Sequence, residues 1–283
     1  VMTPLPIFGQ QMNPMMARMG QQPQRPWVVI NELQRDFEIR QIEMDVEKIE
    51  EDIQVLVVVH PKEATVQAQF AIDQFVLRGG KLMAFLDAKS IIDRPQDNNP
   101  MSAMMGGGPS NLETLLKAWG VSFETTQVVA DRTFSREVSF QRGAPPQPAP
   151  GLLFVNQTGV NSEDVVTSQI DNLLFPFAGS FSGTPAEGLQ QTVLIHSSPE
   201  SQLVDPMTAQ FSGQKILDEF KPSGTEYALA IRLQGKFKSA FPDGKPKDTS
   251  STSADEEDEP NKEEADTQDW LKESKAESVV VLL

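Results

Sequence analysis

The sequence predicts an α/β protein built on a mostly parallel, doubly wound sheet with helices on both faces and an antiparallel hairpin insertion. Three neighbouring features carry that prediction. Residues 55–59 read VLVVV, and five consecutive aliphatic side chains leave no room for polar alternation, so this strand is buried on both faces as in a helix-covered parallel sheet. His60-Pro61 ends it. Over residues 64–77, Ala68, Ala71, Ile72, Phe75 and Val76 recur at helical spacing and make one apolar stripe to lie against a sheet. Gly79-Gly80 closes the helix, because glycine accepts the left-handed conformation of a last turn, and residues 81–87 follow as a second apolar strand. Strand, helix and strand joined by short links form a parallel, right-handed crossover.

The remaining elements are read as additions to this unit. Residues 1–3 are the tail of a first strand, followed by a loop rich in methionine, glutamine and proline up to residue 25. Pro26 is placed to open a helix at its first turn, and Trp27, Ile30, Leu33 and Phe37 share one face of it. Residues 38–44, with Ile39, Ile42 and Met44, read as a strand, and an acidic turn at 45–52 leads into the central unit. Strand, helix, strand, strand, helix, strand is the opening of a doubly wound sheet.

Beyond Asp87, the breakers Asp97-Asn98-Asn99-Pro100 and Gly106-Gly107-Gly108-Pro109 predict a long irregular loop over 94–110. Asn111 caps a helix with Leu112, Leu115, Leu116 and Trp119 on one face, ended by Gly120. Residues 121–130 resume extended structure. Residues 136–141 and 152–156 flank a proline-rich link at 144–150 and read as an antiparallel, hairpin-like insertion. Residues 163–174 read as a short helix or turn, 175–182 and 190–196 as strands, and 212–220 as a helix. Tyr227, Leu229, Ile231 and Leu233 alternate with Glu226, Arg232 and Gln234, which predicts a strand over 225–234 with one wet face, on which 235–241 pairs back. Residues 270–274 read as a helical turn and 279–283 as a buried strand. The domain plan is therefore one α/β domain over 1–247 with flexible methionine-rich loops at 10–25 and 94–110, an acidic disordered linker at 248–269, and a segment at 270–283 that returns a last strand to the same domain.

The chain has 283 residues, 39% of them hydrophobic, which is enough for a substantial core. Its net charge of −16 argues against nucleic acid as a partner, because phosphate binding needs a basic footprint. Much of that charge is local: residues 248–269 hold ten acids against one lysine. With no cysteine, disulfides, thiolate metal sites and a cysteine nucleophile are excluded. No apolar run approaches the roughly 18 residues of a membrane span, and no signal peptide opens the chain. Because the chain begins in one apparent strand and ends in another, we expect it to be a piece of a longer protein.

Four stretches, IDQFVLRGGKLMAFLDA at 72–88, PLPIFG at 4–9, LLKAWGV at 115–121 and LQGKFKSAFPDG at 233–244, resemble the GldG-like family. Its members are auxiliary, extracytoplasmic components of an uncharacterised ABC-type transport system first associated with gliding motility. The resemblance implies a Rossmann-like core related to class I glutamine amidotransferase folds, the same core that intraflagellar-transport proteins carry. It also implies a place on the extracytoplasmic, periplasmic side of the cell membrane, anchored through flanking membrane helices outside this chain. The implied partners are the membrane subunits of an ABC transporter, with a small molecule or sugar as a possible ligand.

The chemistry points away from catalysis. Amidotransferase work needs a cysteine on a strained elbow beside a histidine, and Gly179-Ser180-Phe181-Ser182-Gly183 lacks the G-x-S-x-G spacing of a serine substitute. No Walker phosphate loop occurs, since Gly79-Gly80-Lys81 precedes a strand and not a helix; this is not the ATPase subunit. No cofactor is expected. The sharper constellation is His60, Asp87 and His196, each at the carboxyl end of a predicted strand, the edge where open α/β sheets bind ligands. Lys62 adds a charge there, and Ser197 and Ser198 add hydroxyls. These six are the candidate ligand or partner contacts. Two histidines and a carboxylate also suffice for a divalent metal with open positions, and the alternative to a non-catalytic domain is a degenerate amidotransferase-like or metal-dependent hydrolase. Met12, Met15, Met16 and Met19, with Met101, Met104 and Met105, are read as plain disordered loop or as adaptable partner-facing flaps, ahead of a copper(I) site.

Overall fold

The computed structural model describes residues 1–9, 25–93, 107–139, 143, 145–246 and 270–283. The methionine clusters and the acidic tract lie outside the described residues. Met2 makes single parallel bridges to Ile42 on one side and Val58 on the other, and helix α1 (Val28–Leu33) lies between these first two extended segments in the chain. Strands β1 (Val55–Val59) and β2 (Lys81–Phe85) pair in parallel, with Val55 opposite Lys81 and Val59 opposite Phe85. The crossover helix is α2 (Val66–Leu77), opened by Thr65, whose hydroxyl accepts from the Ala68 amide at 3.1 Å. At its other end the Gly79 amide donates to Val76 O at 3.0 Å and the Gly80 amide to Phe75 O at 2.9 Å. That pair of bonds is a Schellman closure, with Gly79 at φ +101°.

Past β2 the chain forms α3 (Glu113–Ala118), β3 (Val121–Phe123), β4 (Val128–Asp131), β5 (Glu137–Val138), β6 (Gln147–Pro148), β7 (Leu152–Asn156) and β8 (Asn172–Pro176). Then come β9 (Phe181–Gly183), β10 (Leu189–His196), β11 (Ser201–Val204), α4 (Pro206–Phe211), α5 (Gly213–Asp218), β12 (Ala228–Gly235) and β13 (Ser278–Leu282). The last strand lies parallel to β2 and antiparallel to β12. Ile42, Met2, β1, β2 and β13 therefore make a parallel central sheet, extended by antiparallel β12, β10, β9 and β3. The architecture is mixed α/β with few helices.

The two faces are covered differently. On one, α2 and α3 pack over Leu56, Val58, Leu82, Ala84, Val280 and Leu282. On the other, α1 covers only the β1 end, through Ile30 against Leu5, Ile7 and Val59. The β7–β8 hairpin covers the rest, with Leu153 and Val155 set against Leu194, Leu229, Ala230 and Val281.

Several expected pairings are corrected. β7 pairs with β8 and not with residues 136–141, while β5 closes a small ribbon with β6; the alternating buried Leu153 and Val155 need an apolar partner strand, which Leu173 and Phe175 supply. Residues 172–174 are therefore strand, and the span 175–182 is broken at Phe177, which turns the chain with φ +50°. The wet face expected on β12 is covered only in part: Glu226 and Gln234 are exposed, while Ala230 is buried and Arg232 is held by Asp164 at 2.8 Å. Residues 237–238 pair with 273–274 and not with β12, which also leaves residues 270–274 without the helical turn read there. Among the described residues no helix is long and apolar enough to cross a membrane.

Candidate functional site

His60 stops β1 in a left-handed conformation, φ +53°, and its ring is fully buried. Its amide donates to Phe85 O at 2.9 Å, which ties the end of β1 to the end of β2. Nδ1 lies 2.6 Å from Asp87 Oδ2, and Nε2 lies 3.5 Å from Asp93 Oδ2 without a hydrogen-bond partner. Lys62 Nζ reaches the same Asp93 oxygen at 2.6 Å. Burial pushes the Asp93 carboxyl up, but the Lys62 hydrogen bond and charge, with His60 beside it, outweigh burial and hold it below the ordinary carboxylate range. Asp87 is positioned by Ser110, whose hydroxyl accepts the Asp87 amide at 3.0 Å and whose amide donates to Asp87 O at 2.8 Å. Lys62, Asp93, His60 and Asp87 thus form one run of neighbouring polar groups. Sequence reading placed three of them and missed Asp93, which sits in no element and had no periodicity to mark it.

The other three candidates lie elsewhere along the same edge. His196 ends β10, four strand positions from β1 through β2, β13 and β12, which is about 19 Å at normal strand spacing. Its Nδ1 lies 2.8 Å from the Ser197 carbonyl and 3.7 Å from Glu226. The Ser197 hydroxyl accepts the Tyr227 amide at 2.8 Å and bonds Ser201 Oγ at 2.9 Å. Ser198 gives its amide and hydroxyl to the buried Asp131, at 2.6 and 2.9 Å. These groups tie the turn after β10 to the end of β4. His60, Asp87 and His196 do not converge, and among the described residues no three acidic or histidine side chains are grouped to hold a metal ion.

A feature the linear sequence hides lies on the other side of β1. Chain order across the parallel segments is second, first, third, fourth: Ile42, Met2, β1, β2. The connection leaving Met2 runs to α1 on one face, and the connection leaving β1 runs to α2 on the opposite face. Two loops departing to opposite faces leave a crevice at the carboxyl ends of their strands, the topological switch point at which doubly wound sheets bind ligands. A cleft of about 530 Å³ opens there, with Leu5, Phe8 and Met44 as apolar lining and Glu43, Asp45 and Glu63 as acids.

The class the fold defines is a mixed α/β domain with a mostly parallel central sheet and a cleft at the carboxyl ends of its first strands. Residues 6–280 match the family described as ABC-type uncharacterized transport system. The chain belongs to that family, an auxiliary component of ABC-type transport whose partners are membrane transporter subunits. No curated protein and no solved structure matches it.

Proposed function

We propose that this domain is the non-catalytic, extracytoplasmic part of a GldG-like transport auxiliary protein, and that it holds a ligand or partner on the carboxyl edge of its parallel strands. The observation that carries the reading is the switch-point cleft, flanked by the buried His60 and its partner Asp87 on the neighbouring strand ends. Membrane subunits of the transporter are the partners, anchoring comes from segments outside this chain, and the Rossmann-like, amidotransferase-related core serves as a scaffold. Each histidine ring is oriented through its Nδ1, by Asp87 for His60 and by the Ser197 carbonyl for His196, while Nε2 of His60 has no hydrogen-bond partner among the described residues.

Because the chain has no cysteine, location can be read with a single introduced thiol. Thr184→Cys, on an exposed residue, should react with a membrane-impermeant maleimide in intact cells with a permeabilised outer envelope. The full-length protein should also co-purify with transporter membrane subunits from mild detergent. A thiol that reacts only after cell lysis overturns the extracytoplasmic placement, and purification without any membrane subunit overturns the partner assignment.

A further inference from the structure

We infer that His60 is a proton-operated latch: with a second proton its ring bridges Asp87 and Asp93 and ties the chain after β2 to the end of β1, and without that proton one of the two contacts is lost. The ring is fully buried, and its backbone is held on both sides. The His60 amide donates to Phe85 O at 2.9 Å and the Lys62 amide to His60 O at 2.7 Å, which fixes the left-handed conformation at φ +53°. Nδ1 lies 2.6 Å from Asp87 Oδ2. Nε2 lies 3.5 Å from Asp93 Oδ2 and has no hydrogen-bond partner among the described residues. An ionised carboxylate only accepts, and a neutral imidazole has one N–H and one lone pair. Either neutral tautomer therefore serves one aspartate and turns a lone pair on the other. The shorter contact places the proton of the neutral ring on Nδ1, which leaves Nε2 as a buried acceptor facing an acceptor. Only the imidazolium donates to both.

Three charged or titratable groups face the ring. Asp87 comes from the end of β2, Asp93 from the segment beyond it, and Lys62 from the turn after β1, its ammonium 2.6 Å from the same Asp93 oxygen. The two aspartates favour the second proton, while complete burial and the Lys62 ammonium oppose it. That balance makes the Asp93 contact depend on pH. Burial raises the Asp93 carboxyl, but Lys62 outweighs burial and keeps it ionised, so the acceptor is still there when the ring gains its charge. The contact reaches further than one side chain. The Asp93 amide donates to the Ser90 hydroxyl at 3.2 Å, the Gly107 amide donates to Ser90 O at 3.0 Å, and Ser110 holds Asp87. A proton on Nε2 is therefore felt at residues 87–93 and 107–110 together. On the other side Lys62 adjoins Glu63, part of the cleft wall, so acid stiffens the carboxyl edge beside the switch point.

The test is residue-resolved amide hydrogen exchange on the full chain, corrected for the intrinsic rate, together with 15N spectra of the imidazole rings, between about pH 8 and 5. The chain has two histidines, so each ring is followed by itself. As pH falls, exchange at residues 61–63, 87–93 and 107–110 should slow by about threefold or more, along the titration curve of the His60 ring. His196→Asn should keep that response. Asp93→Asn should lose it, because the new side-chain amide donates to the neutral ring. His60→Asn, which suits the left-handed backbone, should exchange fast across the whole range. Exchange independent of pH in the unsubstituted chain, a response that follows the His196 ring, or one that survives in Asp93→Asn overturns the inference; the first two need no substitution. No ligand or transporter subunit enters this experiment, so its failure leaves the co-purification result standing, and the reverse.

Discussion

Asp73 shows how one residue joins distant parts of this chain. It lies on α2 and is almost wholly buried, where it accepts the Ala240 amide at 2.9 Å and the Ser239 hydroxyl at 2.7 Å. Its neighbour Gln74 exchanges two hydrogen bonds with Leu271, at 2.7 and 3.0 Å. Burial pushes the Asp73 carboxyl up, and the bonds from Ala240, Ser239 and Gln74 oppose that only in part. A carboxyl raised in the folded state keeps its proton longer there than in the unfolded chain, so its contribution to stability falls as pH rises from its ordinary value of 3.8. Asp73→Asn keeps an acceptor for Ala240 and removes the titration. Urea melts of both chains at a series of pH values from 3.5 upward should therefore show the variant gaining on the wild type as pH rises; parallel curves would contradict this. Asp73→Ala strands two donors and should cost about 2–3 kcal/mol. Asp93 has the opposite sign: held below its ordinary range, it stabilises above 3.8 and loses that contribution as pH falls through its folded value. Lys62 is nearly half exposed, so Lys62→Met should remove less than about 1 kcal/mol at pH 7, and the loss should fade in acid.

At the scale of elements, the helix stop and the last strand make the clearest predictions. A methyl group on Gly80 would lie 2.4 Å from the buried Phe75 ring, so Gly80→Ala should cost about 2 kcal/mol through overpacking. Gly79 has open space but φ +101°, so Gly79→Ala should cost about 1 kcal/mol through backbone strain alone; both are read from chemical melts with unchanged slope. β13 sits between β2 and β12, and truncation after residue 246 exposes two strand edges at once. The truncated chain should lose its cooperative melt, and a synthetic peptide of residues 270–283 should restore it; a normal melt without the peptide would show that β13 is dispensable. The βαβ unit was legible because its evidence is local: five aliphatics, one stripe, two glycines. The partners of β7 and β12 were not, since an alternating strand states which side is buried but not which distant strand lies beside it. Residues 137–138 and 152–156 are near in sequence and pair with other strands.

At the scale of the whole molecule, the same limit divides the candidate site. His60 and Asp87 were placed together because both end strands of one local crossover. His196 shares their edge but stands four strands away, a separation only the sheet order reveals. The cleft acids looked like an ordinary acidic turn, because nothing in their spacing marks them off from the neighbours held by Arg40, Lys48 or, across 198 residues of chain, Lys245. The motifs in the resemblance to a transport family meet mainly around α2, where Trp119 meets Phe237 and Phe70 meets Phe241 edge to face at ring distances of 5.6 and 5.4 Å. They build the scaffold, while Pro4 to Gly9 alone among them borders the cleft. The central claim is that the molecule meets its ligand or partner at the carboxyl edge, around the switch point. Hydrogen–deuterium exchange on the full-length protein in its membrane assembly, compared with the purified chain, tests it most directly. The account predicts slowed exchange at residues 3–9, 41–45 and 60–65; unchanged exchange there, with protection appearing instead at the amino edge around residues 50–54, would contradict it.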